Sequence, residues 1–192
     1  MSRAAEALRV VLDANVLYPQ WLRDMILTLA AMGHYDPVWS QQVIDEMRRN
    51  VLRDHPDIDP QHFDDTTIAA LRRAFPEAWV EVPDELVAEM DNEPEDRHVL
   101  AAAVAAGAQV VVTANTAHFR SARFVDSGPV AVHDPASFLL TALDEHQGLM
   151  AAVLEHLASN RRTVATVADV LDALDRNEAL RPFVEVARER LL

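Results

Sequence analysis

Short apolar runs alternate with longer segments of helical periodicity through most of the chain. The runs at residues 10–12, 79–82, 109–113 and 130–132 predict strands, because each is short and rich in valine. Apolar residues recur at helical spacing in segments 14–32 (interrupted near Pro19), 40–53, 61–74, 84–90 and 94–107. This alternation predicts an α/β fold with a mainly parallel sheet flanked by helices on both faces.

The last quarter of the chain lacks strand patterns. From about Asp144 onward the periodicity is helical, at residues 149–157, 167–174 and 183–191. A polar break at residues 159–163 separates the first two of these helices, and either Thr163 or Thr166 could cap the second. We therefore predict a sheet-containing domain over residues 1–142 and a small helical extension over residues 143–192.

Composition narrows the function classes. With 192 residues, half of them hydrophobic, the chain can bury a substantial core. No apolar stretch approaches the ~20 residues that cross a bilayer, and the N-terminus lacks the apolar core of a signal peptide, so we expect a cytoplasmic protein. The absence of cysteine excludes disulfides and thiolate chemistry. The absence of lysine excludes P-loop and Schiff-base chemistry.

Four polar residues stand where a site could form. Asp13 and Asn115 follow predicted strands, and the carboxyl ends of parallel strands border the crevice of an open sheet. Glu46 and Asp96 lie on predicted helices. If those helices reach the same crevice, three carboxylates converge, and such a cluster is stable only with a cation between them. The pattern indicates a Mg²⁺ site, with Mn²⁺ as the alternative.

Each of these residues also has a purely structural interpretation. Asp13 and Asp96 could cap the helices that follow them, Glu46 could be a surface acid, and Asn115 could stabilise a turn. Their joint spacing favours a shared metal site. Next to the strand ends, Asn15 and Thr113 are candidates to orient the carboxylates by hydrogen bonds.

The chain resembles the PIN-domain ribonucleases, and within them the VapC-like toxins of bacterial toxin-antitoxin pairs. The matching stretches are VVLDANVLYPQWLRDMIL, PVWSQQVIDEMRRNVL and EPEDRHVLAAAVAAGAQVVVTANTAHF, which together reach from Val10 to Phe119. The most specific part is EDRHVLAAAV followed by a strand and TAN..HF. By this resemblance, residues 1–142 form a PIN-like nuclease domain.

The resemblance implies Mg²⁺-dependent hydrolysis of RNA phosphodiester bonds. The family's acids fall at Asp13, Glu46, Asp96 and Asn115, with Asp13 and Asp96 as the principal metal ligands. Glu46 would bind a second cation or orient the attacking water. Asn115 departs from the family's fourth acid, because an amide can ligate a cation but adds no charge. The resemblance also implies a small cognate antitoxin, whose C-terminal segment fills the cleft, and a homodimer.

The formal net charge of −14 argues against a broad, sequence-independent grip on nucleic acid. Arg97, Arg120 and Arg123 follow the motif positions and are candidate contacts to RNA phosphates. His98 and His118 are not predicted ligands, since His98 should point away from Asp96 on a helix.

Two alternatives remain open. One is a PIN-fold interaction module that has lost catalysis through its neutral fourth position. The other is a phosphohydrolase with an aspartate nucleophile, although the usual DxD start of that class is DAN here and its lysine is missing.

Overall fold

A parallel sheet of five strands forms the centre of the protein, in the order β3-β2-β1-β4-β5. The computed structural model describes residues 7–120, 122–160 and 166–192. Its strands are β1 (Arg9–Leu12), β2 (Asp36–Ser40), β3 (Trp79–Val80), β4 (Val110–Val112) and β5 (Ala131–His133). The predicted α/β fold, with a parallel sheet covered by helices, is confirmed.

Most predicted helices form close to their expected bounds. The helices are α1 (Ala14–Leu17), α2 (Gln20–Ala31), α3 (Gln41–Asp54), α4 (Pro60–Phe63), α5 (Ala69–Ala74), α6 (Asp84–Glu89), α7 (Arg97–Ala106), α8 (Arg123–Asp126), α9 (Pro135–Glu145), α10 (Gln147–Ser159), α11 (Val167–Asp175) and α12 (Arg181–Leu191). Between α4 and α5 the chain continues as a π-helical turn at Asp64–Ile68.

Local chemistry sets several of these boundaries. The Ser40 hydroxyl accepts a hydrogen bond from the Val43 amide and begins α3, as the sequence predicts. Gly107 ends α7 with a φ of +62°, a left-handed conformation that favours glycine. Proline at position 19 divides the long predicted N-terminal helix into α1 and α2.

Strand β2 is the element that the sequence analysis missed. It begins at Asp36–Pro37, and proline is normally excluded from central strands because it cannot donate to the hydrogen-bond ladder. Here Pro37 pairs with Val10 of β1, whereas β3 pairs only with Trp39 and Ser40 further along. Pro37 therefore lies where one side of β2 has no partner strand.

The sheet topology opens a crevice between β1 and β4. Strand β2 pairs with β1 on one side, and β4 pairs with β1 on the other side. At the ends of β1 and β4, Leu12 is paired with Val112. Strand order reverses at this point, which is where open α/β sheets bind ligands. Residues that directly follow β1 and β4 are therefore neighbours at the crevice.

The C-terminal helices share the hydrophobic core of the sheet-containing part. Helix α10 packs on α2, α9 and α11, and α12 packs on α9 and α11. Since α9 runs through residue 142, the division at that residue stays a prediction. Thr166 caps α11 in a capping box with Asp169, and the alternative cap Thr163 lies outside the described residues. Among the described residues, no helix is long and apolar enough to span a bilayer.

Candidate active site

Asp13 lies at the crevice in a dense hydrogen-bond network. Its Oδ2 accepts hydrogen bonds from the Thr113 hydroxyl and the Asn15 amide nitrogen, both at 2.6 Å. Its Oδ1 accepts one from the backbone nitrogen of Ala14, also at 2.6 Å, so Asp13 also caps α1. The network closes through Asn15, which donates to the Thr113 hydroxyl at 3.1 Å and accepts from the Ala114 amide. Asn15 and Thr113 thus hold Asp13 in one orientation.

Burial raises the pKa of the Asp13 carboxyl to about 6, because only 2% of the residue is exposed to water. The hydrogen bonds from Thr113 and Ala14 act in the opposite direction. The negative charges of Asp96 and Glu46 raise this pKa further. The three predicted carboxylates are therefore close enough for their charges to interact, although they arrive on different elements.

Glu46 lies on α3 and faces a buried histidine of α7. The Nε2 atom of His98 is 3.4 Å from Oε2 of Glu46, and the His98 side chain is only 4% exposed. This distance is longer than a strong charge-assisted hydrogen bond, and the buried His98 Nε2 makes no hydrogen bond within the described ranges. Interaction with His98 holds the pKa of Glu46 below its usual value, and the charge of Arg49 lowers it further.

Asp96 is supported by a histidine from the loop after β4. Its Oδ2 lies 2.6 Å from Nδ1 of His118, and its side chain makes no hydrogen bond that would cap α7. The structural interpretation of Asp96 as a simple helix cap therefore does not describe it. Whereas the Asp96 side chain is only 11% exposed, the His118 side chain is 43% exposed, so the ring is accessible to solvent.

The oxygen donors of the three carboxylates have the chemistry that suits a divalent cation. Asp96 and Glu46 each engage a histidine through one oxygen, and their second oxygens have no hydrogen-bond partner in the described part of the chain. Asp13 accepts three hydrogen bonds of the roughly four that a carboxylate can take, which leaves capacity on Oδ1. Carboxylate oxygens are the donors that Mg²⁺ and Mn²⁺ prefer, and supporting hydrogen bonds orient such ligands. The donor set therefore fits these ions.

The acids do not form a preassembled cage. Within residues 7–120, 122–160 and 166–192, no three His, Asp or Glu side chains are gathered closely enough to enclose a metal ion. The negative charges of both other carboxylates nevertheless raise the pKa of Asp13, so the three groups interact electrostatically without forming a closed cage.

Other predicted site residues lie outside this cluster. Asn115 is exposed, its backbone nitrogen donates to the Thr113 hydroxyl at 3.0 Å, and its side-chain amide makes no hydrogen bond with any described residue. Arg97 donates to the Asn92 carbonyl, and the guanidinium of Arg123 stacks on the Phe124 ring. Arg120 is exposed beside a separate cavity near His133.

Sequence reasoning set aside the two histidines that contact the carboxylates. Helical spacing correctly turns His98 away from Asp96, but it does not reveal that the ring then meets Glu46 on another helix. The position of His118, just before the buried Phe119, was the available signal for a residue fixed near the crevice. Trp39 and Phe119 fill the core, as expected.

The sequence profile of the PIN domain matches residues 9–117, which are more than half of the chain and include all three carboxylates. The protein belongs to the PIN domain family. This match extends from β1 through the loop after β4, and so covers both sides of the crevice.

Among curated proteins, one relative is a Mycobacterium tuberculosis (strain ATCC 25618 / H37Rv) protein named "Putative ribonuclease VapC50". The two are 43% identical over 70 residues, which are 36% of this chain and 41% of the relative. The similar stretch thus covers less than half of either protein. No solved structure matches the chain.

Proposed function

We propose that this PIN-domain protein is a Mg²⁺-dependent endoribonuclease that hydrolyses RNA phosphodiester bonds, with Mn²⁺ as an alternative ion. The observation that supports the proposal is that the charges of Glu46 and Asp96 act on Asp13, which follows β1 at the strand-order reversal, while Glu46 and Asp96 each face a histidine. The relative named "Putative ribonuclease VapC50" adds support for RNA as the substrate.

In this proposal, Asp13 and Asp96 hold the cation, and Glu46 either completes the site or orients the attacking water. A bound divalent ion would lower the pKa of a water nucleophile and neutralise charge on the phosphate. Thr113 and Asn15 keep Asp13 in place, while His118 and His98 orient the other two acids. Asn115, at the exposed end of β4, would contact the cation directly or through water.

The direct test is cleavage of single-stranded RNA by the purified protein. We expect cleavage with Mg²⁺ or Mn²⁺ and none in EDTA, since the acidic cluster needs a cation to approach a phosphodiester. Tight RNA binding with no cleavage under either metal would favour the alternative of a PIN-fold interaction module. The interaction-module alternative is based on Asn115, which is uncharged and exposed.

We further propose that the protein is the toxin of a VapBC-like pair and acts in the cytoplasm as a homodimer. A small cognate antitoxin would place a cationic side chain, most simply arginine, among Asp13, Glu46 and Asp96, where it forms bidentate hydrogen bonds. Antitoxin and Mg²⁺ should then compete. With the neighbouring gene product, affinity should decrease as Mg²⁺ rises, beyond the effect of a monovalent salt at equal ionic strength. Affinity indifferent to Mg²⁺ and to Asp13→Ala would contradict this assignment.

A further inference from the structure

A cavity lies at the C-terminal ends of α1, which follows Asp13, and α3, which carries Glu46. It has a volume of about 500 Å³, within the range of small-ligand sites, and opens between the ends of α1 and α3 and the α4 segment. None of its lining residues is an aspartate or glutamate, although the carboxylate of Asp54 accepts a hydrogen bond from the Tyr18 hydroxyl at 3.1 Å. Buried Val51 and Phe63 contribute an apolar floor. The cavity can therefore accept a negatively charged, partly apolar ligand.

Arg23 lines this cavity without an ion-pair partner among the described residues. Its Nη1 donates to the carbonyl of Leu17 at 2.9 Å, which fixes the guanidinium at the end of α1. Burial lowers the pKa of Arg23, and the charge of the neighbouring Asp24 only partly opposes this effect. A partly buried guanidinium without an ion pair is stabilised by an anion that enters the cavity.

The wall opposite the helix ends contains an unusual backbone turn. Thr66 and Thr67 line the cavity from the π-helical turn at Asp64–Ile68. Such turns are rare and occur often at functional sites, because they redirect side chains that an α-helix would place elsewhere. The Thr66 hydroxyl donates to the His62 carbonyl at 2.6 Å, so its oxygen can still accept a hydrogen bond.

Aromatic rings complete the lining. Tyr18, His55 and His62 contribute ring systems, and single-stranded RNA is bound in many proteins by stacking of bases on such rings. Tyr18 lies five residues after Asp13 and Val51 lies five after Glu46. At 1.5 Å per residue, five residues span about 7.5 Å of helix axis, so each of these two lining residues lies within two helical turns of the acid that precedes it in the chain.

We propose that this cavity binds a nucleotide of the RNA strand close to the scissile bond, with its phosphate at Arg23 and its base against Tyr18 and the histidine rings. The inference rests on the proposed ribonuclease function, and it assigns substrate selection to a surface apart from the metal ligands. An acid-free lining with ring faces suits a nucleotide, whereas an amphipathic protein helix would require a continuous apolar groove.

The test is binding of short fluorescein-labelled single-stranded RNAs, measured by fluorescence anisotropy in EDTA over a range of KCl concentrations. Arg23→Gln should weaken binding about tenfold and reduce the salt slope by about 0.7, the value for one lost phosphate contact with a single strand. Tyr18→Leu should weaken binding about fivefold or more without changing that slope, because it removes stacking and no charge.

A third variant introduces a negative charge into the cavity and leaves the partly buried Arg23 unchanged. Thr66→Glu should weaken RNA binding at least about tenfold by repelling phosphate. Thr141→Glu is the matched control, since Thr141 is also an exposed helical threonine whose hydroxyl donates to the carbonyl four residues earlier. Thr141 lies on α9, outside the cavity. The Thr141→Glu variant should therefore bind RNA with an affinity within about twofold of the wild type.

Wild-type affinity and salt slope in both Arg23→Gln and Thr66→Glu would overturn the proposal. So would variants that keep RNA binding but lose the cognate antitoxin, since the cavity would then be a protein-binding site. A wild-type protein that binds RNA through this cavity but never cleaves it with Mg²⁺ would support the subsite while refuting the ribonuclease function. The two conclusions can therefore fail separately.

Discussion

The strand side and the helix side of the candidate site are built differently. On the strand side, Asp13 is almost fully buried, and uncharged donors from Thr113, Asn15 and the backbone hold it. On the helix side, Glu46 and Asp96 each face an imidazole, and the Glu46 side chain is 32% exposed. The sheet therefore fixes the position of Asp13, the packing of α7 on α3 brings His98 to Glu46, and the loop after β4 brings His118 to Asp96.

This difference assigns separate contributions to the two sides. Asp13 has a raised pKa because its surroundings are dry and its neighbours are negative, so it gains most from an arriving cation. Interaction with its histidine lowers the pKa of Glu46, which favours the ionised carboxylate. Substitution of Asp13 or Asp96 should remove a metal ligand, whereas substitution of the histidines that face Glu46 and Asp96 should act through side-chain orientation.

The largest expected effect comes from removing an acid on each side. Asp13→Asn and Asp96→Asn should each reduce RNA cleavage by at least about a hundredfold, since loss of a direct ligand exceeds the 10- to 100-fold effect of its supporting groups. Circular dichroism should show that both variants are folded, because each substitution relieves like-charge repulsion. Asp57→Asn, in an exposed loop, is the matched control and should retain wild-type activity. Full Mg²⁺-dependent cleavage by both site variants would refute the assignment.

The buried strand-side acid should also leave a signature in the pH dependence of stability. In the unfolded chain Asp13 ionises near 3.8, whereas in the folded protein its pKa is about 6. The folded state holds the proton more tightly, so the free energy of unfolding falls as pH rises through this interval, by roughly 3 kcal/mol at about 1.36 kcal/mol per pKa unit. The free energy of unfolding of the Asp13→Asn variant should not show this decrease.

Urea denaturation in EDTA, from about pH 4 to about pH 7, measures that difference. Relative to the wild type, Asp13→Asn should gain stability as pH rises, even if lost hydrogen bonds lower its stability at acid pH. Parallel stability profiles for the two proteins would show that Asp13 titrates normally. Added Mg²⁺ near pH 7 should stabilise only the wild type appreciably.

On the helix side, His98 should act as a positioning residue for Glu46. His98→Leu should weaken Mn²⁺ binding about 10- to 100-fold, and His98→Gln should recover most of it because its amide can donate to the carboxylate. Titration calorimetry measures both affinities. In a Glu46→Gln background, His98→Leu should cause little further loss. Equal losses in both backgrounds would mean that His98 acts only through the core.

The smallest effect should come from Asn115, which is exposed and separate from the hydrogen-bond network of the carboxylates. Asn115→Asp would restore the acid of the family pattern at the end of β4, and it should tighten Mg²⁺ or Mn²⁺ binding by about severalfold through added charge. Titration calorimetry against the wild type is again the measurement. Unchanged affinity would place residue 115 outside the metal shell.

The sequence predicted the strand side well because its information is local. Asp13 and Thr113 directly follow valine-rich runs, and parallel strands bring such residues to one edge. Capping at Ser40 and the left-handed Gly107 are local signals of the same kind. Strand β2 was not predicted because it begins with Asp36–Pro37. Whether a strand tolerates proline depends on which strand pairs beside it, and the sequence of one strand does not show this.

The helix side was only half predictable. Spacing placed Glu46 and Asp96 on helices, but the contact between His98 and Glu46 depends on how α3 packs against α7, which periodicity along one helix does not encode. The cavity at Arg23 depends likewise on three separate segments and a π-helical turn. In both cases the missing information is the packing of one element against another.

The central claim is that Asp13, Glu46 and Asp96 together hold a divalent cation, and anomalous X-ray scattering from a Mn²⁺-soaked crystal tests it most directly. The predicted result is a Mn²⁺ peak with oxygens of Asp13 and Asp96 within about 2.5 Å and Glu46 bound directly or through water. The same soak of Asp13→Asn should give a much weaker peak. Mn²⁺ bound only elsewhere, or bound equally in Asp13→Asn, would contradict the claim.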